Sequence, residues 1–133
     1  MEILVASVVL AVALLTLFTV NSSSNQMTLD SYFELMAVQL AQEPIEVFKA
    51  VGYPDCNKLV KYPVGQPHSI TSENGYYPVE ASMFERTIQI DSSKEPLVTI
   101  SVSVSPKPDS QARNWMRRGK EFIVMKSLIP VYK

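Results

Sequence analysis

Ile3–Val20 reads ILVASVVLAVALLTLFTV. Only Ser7, Thr16 and Thr19 carry polar side-chain atoms there, and small hydroxyls can bond back to helix carbonyls. As a helix the run rises roughly 27 Å, close to the hydrocarbon thickness of a bilayer. A backbone in lipid must satisfy its own hydrogen bonds, so the run is expected to be helical if it lies in a membrane. Two other readings compete with an anchor. A cleaved signal peptide wants a positive n-region and a small-residue cleavage site, whereas Met1-Glu2 is negative and the apolar run is long. A core helix is seldom apolar on every face in so small a protein. The run is therefore read as an uncleaved single-pass anchor. Its orientation is not legible from flanking cations, because the first Lys or Arg after it is Lys49.

The rest of the composition fits one small domain behind that anchor. The chain has 133 residues, enough for a single domain but not two. The expected division is 1–26 for the anchor and its link, and 27–133 for the domain. Net charge is −1, so a general nucleic-acid binder, normally basic, is not expected. No charged side chain occurs from Ile3 to Leu29. The single cysteine, Cys56, excludes an intramolecular disulfide.

Beyond the anchor, Asn21–Gln26 is polar and reads either as a flexible link or as a weakened stretch of one long helix. Ser31-Tyr32-Phe33-Glu34 has capping-box spacing. Leu29, Phe33, Met36 and Leu40 then recur at helical spacing, predicting an amphipathic helix whose apolar stripe lies on a sheet. Pro44 removes a backbone donor and biases Glu43 away from helix, or else opens a new turn, Pro44–Val51, closed by Gly52. Residues 52–82 hold Pro54, Pro63, Pro67 and Pro78 with an Asn74-Gly75 turn signal. They read as a long connector with short strands around Leu59–Tyr62 and Tyr76–Val79. Phe84, Ile88 and Ile90 share one parity, and Val98, Ile100, Val102 and Val104 alternate with Thr99, Ser101 and Ser103. Ser92–Glu95 is expected to join these two strands as a hairpin, with Glu121–Leu128 as a third. The fold class is α+β: an N-terminal transmembrane or long helix packed on a small antiparallel sheet of three or more strands.

Several of these segments resemble a known family. MEILVASVVLA at residues 1–11 looks like the mature N-terminus of a type IV prepilin. Ala37–Glu43, Ile45–Phe48 and Gly52-Tyr53 are similar to a stretch of PilV-type minor pilins and I-type type II secretion pseudopilins. Phe84–Ile90 followed by Val98–Val104 resembles two adjacent strands of those proteins. The resemblance implies a pilin-like fold, with Glu2 in the place of the family's N-terminal glutamate. There it would neutralise a neighbour's cation during assembly, where the residue-level alternative is a carboxylate sitting in the lipid headgroups. It also implies that a leader and processing glycine precede residue 1, with Met1 lying inside a longer prepilin, unless the chain is not a substrate of prepilin peptidase. Pro44 departs from the family, which usually continues its helix at that point.

Other chemistry is thinly represented. His68, the sole histidine, is expected in an exposed loop, and with one Cys it gives no metal site. Cys56 and His68 would make a nucleophile–base pair only if the fold joined them. The basic stretch Arg113–Lys120, RNWMRRGK, reads as a solvated loop or else as a contact with a partner subunit, anionic lipid or DNA through Arg113, Trp115, Arg117 and Arg118. The resemblance implies a structural subunit, without enzymatic activity or cofactor, in the inner membrane with its domain outside. Its partners would be other pilin or pseudopilin subunits, the membrane and, if the true start lies upstream, prepilin peptidase. The rival readings are a single-pass anchored periplasmic binding module unrelated to pili, and an anchored hydrolase using Cys56.

Overall fold

A computed structural model describes residues 2–53, 55–71, 75–93, 97–116 and 123–130. The chain divides into two compact units, Met1–Tyr32 and Phe33–Lys133. One helix, α1 (Glu2–Val51), contributes to both.

In the first unit, α1 is a regular helix through the polar stretch Asn21–Gln26, so the link is helical. The hydroxyls of Thr16 and Thr19 donate to the carbonyls of Ala13 and Thr16 at 2.8 and 2.9 Å, so each finds an acceptor on its own helix. Ser31 does not act as a helix cap. Its Oγ donates backward to the Met27 carbonyl at 2.9 Å, because the helix is already running when it reaches this residue. Leu29, assigned to the apolar stripe from its spacing, is 55% exposed.

In the second unit, α1 lies on a four-stranded antiparallel sheet. The strands are β1 (Pro67–Ser69), β2 (Phe84–Asp91), β3 (Leu97–Pro106) and β4 (Ile123–Pro130), in that spatial order. This is a meander, each strand pairing with the next in sequence. Alternation aligns the apolar residues: Ile88 faces Val102 across β2–β3, and Val102 faces Met125 across β3–β4. The same parity places Phe84, Ile88, Val98, Ile100, Val102, Val104 and Ile129 in the core. Thr99, Ser101 and Ser103 take the wetter face. Phe33 packs against this core, and Met36, Ala37, Leu40, Ala41, Ile45 and Phe48 are buried in it at i, i+3 and i+4 spacing. Ala37 and Ala41 are fully buried on this stripe.

Four expectations need correction. Helix α1 does not break before Pro44. It runs through to Val51 and, as the alternative reading of Pro44–Val51 expects, is closed by Gly52, whose φ of 78° and N–H bond to the Phe48 carbonyl at 2.8 Å form a left-handed cap. The strands expected at Leu59–Tyr62 and Tyr76–Val79 are absent. The connector's one described strand is instead Pro67–Ser69, paired with the edge of β2, so Pro67 opens a strand. His68 lies on this strand, half-buried, not in an exposed loop. The last strand is Ile123–Pro130, so its pairing runs two residues beyond Leu128, while Glu121 and Phe122 lie outside the described residues. Lys94 and Glu95 of the expected hairpin turn also lie outside them, although β2 and β3 pair antiparallel from Asp91–Thr99 onward.

Candidate functional site

Two features carry chemistry. The first is the apolar surface of the Met1–Tyr32 unit. The large apolar residues described from Ile3 to Val20 range from 48% exposed at Leu14 to 86% at Ile3. Water is a poor solvent for such a surface, since each buried apolar side chain would contribute about 1.5–3 kcal/mol. The helix is long and apolar enough to cross a membrane. Glu2 is its first residue, and the placement of its side chain lies outside the description.

The second is a charged cluster built around Glu43 and Pro44 in the Phe33–Lys133 unit. Proline has no N–H, so the Leu40 carbonyl four residues earlier loses its helical donor. Arg86 supplies the replacement. It sits on the core parity of β2, is 2% exposed, and its Nη1 donates to the Leu40 carbonyl at 3.2 Å. The same Nη1 lies 3.4 Å from Glu43 Oε2, and the guanidinium stacks 4.9 Å above the Tyr62 ring. Arg86 Nε is buried without an acceptor among the described residues.

Glu43 collects further donors. Tyr62 Oη donates to Oε1 at 2.6 Å, and Tyr77 Oη reaches both carboxylate oxygens at 2.7 and 2.6 Å. Lys61 Nζ lies 3.3 Å from Oε1 and about equally far, 5.3–5.4 Å, from the ring centres of Tyr62, Tyr76 and Tyr77. Burial alone would raise the Glu43 pKa. The two phenol hydroxyls, the Lys61 ammonium and the Arg86 charge outweigh it and hold the carboxyl below its ordinary value. Burial of Tyr62, and then the carboxylate it donates to, push its hydroxyl up to about 12.

These shifts have opposite signs in stability. The Glu43 contribution is complete above the ordinary value of 4.5 and is lost as pH falls through the lower folded-state value. The Tyr62 contribution is complete below pH 10 and is lost as pH rises towards about 12. Urea midpoints of the wild type are expected to fall between pH 10 and 12, and those of Tyr62→Phe to fall less over the same interval. Parallel alkaline slopes in the two proteins would refute this role of Tyr62.

Beside the cluster is a cavity of about 380 Å³ lined by Lys61, His68, Ile70, Thr71, Tyr76, Tyr77 and Arg86. His68 and Arg86 are direct cross-strand partners.

Of the residues singled out from sequence, Phe33, Met36 and Leu40 share the sheet-facing stripe of α1, and the Phe33 ring is tilted against Phe84 with centroids 6.3 Å apart. Arg113 is exposed at the start of a four-residue helix, α2 (Arg113–Met116), and its Nη1 donates to the Pro108 carbonyl at 2.9 Å. Trp115 belongs to α2, while Arg117 and Arg118 lie outside the described residues. Cys56 lies in a short 3-10 turn, Asp55–Lys58. Among the described residues no group of His, Cys, Asp or Glu is arranged to hold a metal. Sequence reasoning missed Arg86, Tyr62 and Tyr77. The available signal was an arginine at a core-parity position of β2, which demands a buried acceptor. No family model matches the chain, and comparisons with curated proteins and with solved structures gave no match.

Proposed function

We propose that this chain is a structural subunit of the pilin type, a minor pilin or type II secretion pseudopilin, that assembles through its N-terminal helix. The observation that carries the reading is the division of labour along α1. Its described residues from Ile3 to Val20 expose their apolar side chains, whereas Met36, Leu40, Ile45 and Phe48 are spent on the core of an α+β unit. The outward part needs an apolar surrounding. Lipid supplies it before assembly, and the helices of neighbouring subunits supply it afterwards.

In this reading the Phe33–Lys133 unit lies outside the inner membrane. Glu2 neutralises a neighbour's N-terminal amine as the helix leaves lipid for the bundle, where low dielectric strengthens the pair. Membrane insertion of Glu2→Ala should be unchanged. Its recovery in sheared filaments should fall at least about tenfold, the equivalent of ~1.4 kcal/mol. Equal recovery of variant and wild type would overturn the role of Glu2.

The cavity beside Arg86 favours a second reading, a single-pass anchored binding module. That protein would keep its activity in Glu2→Ala and would be absent from filaments.

A further inference from the structure

We propose that the cavity beside β1 binds a small organic anion, a carboxylate carried on an aromatic or similarly flat apolar body. The cavity's volume, about 380 Å³, suits a molecule of that size. Its lining mixes the basic side chains of Lys61, His68 and Arg86 with Ile70 and the rings of Tyr76 and Tyr77.

The charge balance favours an anion. Lys61 and Arg86 bring two positive charges, and Glu43 is the one carboxylate bonded to either among the described residues. Among the described residues, one positive charge is therefore left over beside the cavity. Arg86 also has donor capacity to spare. Leu40 and Glu43 engage Nη1 alone, and buried Nε has no acceptor among the described residues. A guanidinium with unused donors suits the planar fork of a carboxylate. Lys61 is 52% exposed on its side chain, so it can turn from Glu43 towards an incoming anion at little cost.

The tyrosine rings in the lining argue for an organic body over a bare inorganic ion. Tyr76 is 79% exposed, although it stands beside Lys61, whose Nζ is 5.3 Å from its ring centre. Such a ring contributes little to folding by its own burial, and it offers a flat apolar face to a ligand. The cation then takes the carboxylate while the ring covers the body.

The test titrates the full chain in neutral detergent micelles with benzoate, benzyl alcohol and inorganic phosphate, following tyrosine fluorescence and heat. Benzoate is expected to bind saturably, and at least tenfold more tightly than benzyl alcohol or phosphate. Lys61→Met and Tyr76→Ala each alter an exposed side chain, and each is expected to weaken benzoate at least tenfold with circular dichroism unchanged. The proposal is overturned if benzoate fails to saturate. It is equally overturned if benzyl alcohol or phosphate binds as well as benzoate, or if both variants bind benzoate like the wild type.

Discussion

Arg86→Ala is expected to destabilise the Phe33–Lys133 unit by about 3 kcal/mol, at the lower end of what breaking a buried ion pair costs. The substitution removes three contacts at once: the hydrogen bond to the Leu40 carbonyl, the ion pair with Glu43 and the stack on Tyr62. Glu43 is not abandoned, because Tyr62, Tyr77 and Lys61 still reach it, and for that reason the cost stays at the lower end. The Leu40 carbonyl has no such reserve. Pro44 is fully buried and donates nothing, so the carbonyl is left unpaired against the core. Pro44→Ala restores an N–H at that point. The cost of Arg86→Ala should therefore shrink by roughly 1–2 kcal/mol in a Pro44→Ala background, the penalty of one orphaned acceptor. Hydrogen exchange of the β3 amides in the four proteins of this cycle measures it. Equal costs in both backgrounds would show that Arg86 does not replace the donor that proline lacks.

That coupling also explains why parts of the fold were legible and others were not. The Val98–Val104 alternation is a local pattern, and each residue's face follows from its own position. The same holds for Phe33, Met36 and Leu40, whose spacing alone aligns them on one side of a helix. Pro44 is different. The rule that a helix ends before proline assumes that nothing else supplies the missing donor, and the supplier here is 46 residues away along the chain. Strand β1 is invisible for a related reason. Pro67-His68-Ser69 has no strand pattern of its own and is extended because the edge of β2 offers it partners. The cavity combines both difficulties. Lys61, His68 and Tyr76 come from the connector, where each looks alone like an ordinary surface residue, and only Arg86, at a core-parity position of β2, carries a signal of its own.

Leu10→Lys combined with Leu14→Lys is expected to abolish stable membrane association. The run Ile3–Val20 contains twelve Ile, Leu, Val and Phe residues. At about 0.3–0.6 kcal/mol each, they favour insertion by roughly 4–7 kcal/mol. Each lysine near the centre of a span opposes insertion by about 2.5–3.5 kcal/mol, and each replacement also removes a leucine. Two such changes therefore reverse the sign of the balance, where one would only weaken it. Position matters, because lysines near a helix end can snorkel to the interface. Ser22→Lys with Ser24→Lys, just past the run, adds the same charge and should leave association intact. Thr16→Val should also change little, since the Thr16 hydroxyl already finds its acceptor at Ala13 within the helix. Alkaline carbonate extraction of membranes separates these outcomes. If the wild type and the Ser22/Ser24 pair stay in the pellet while the Leu10/Leu14 pair moves to the supernatant, the apolar run is the anchor. If the Leu10/Leu14 pair resists extraction, the chain is held by something other than Ile3–Val20, and assembly through that helix loses its physical basis.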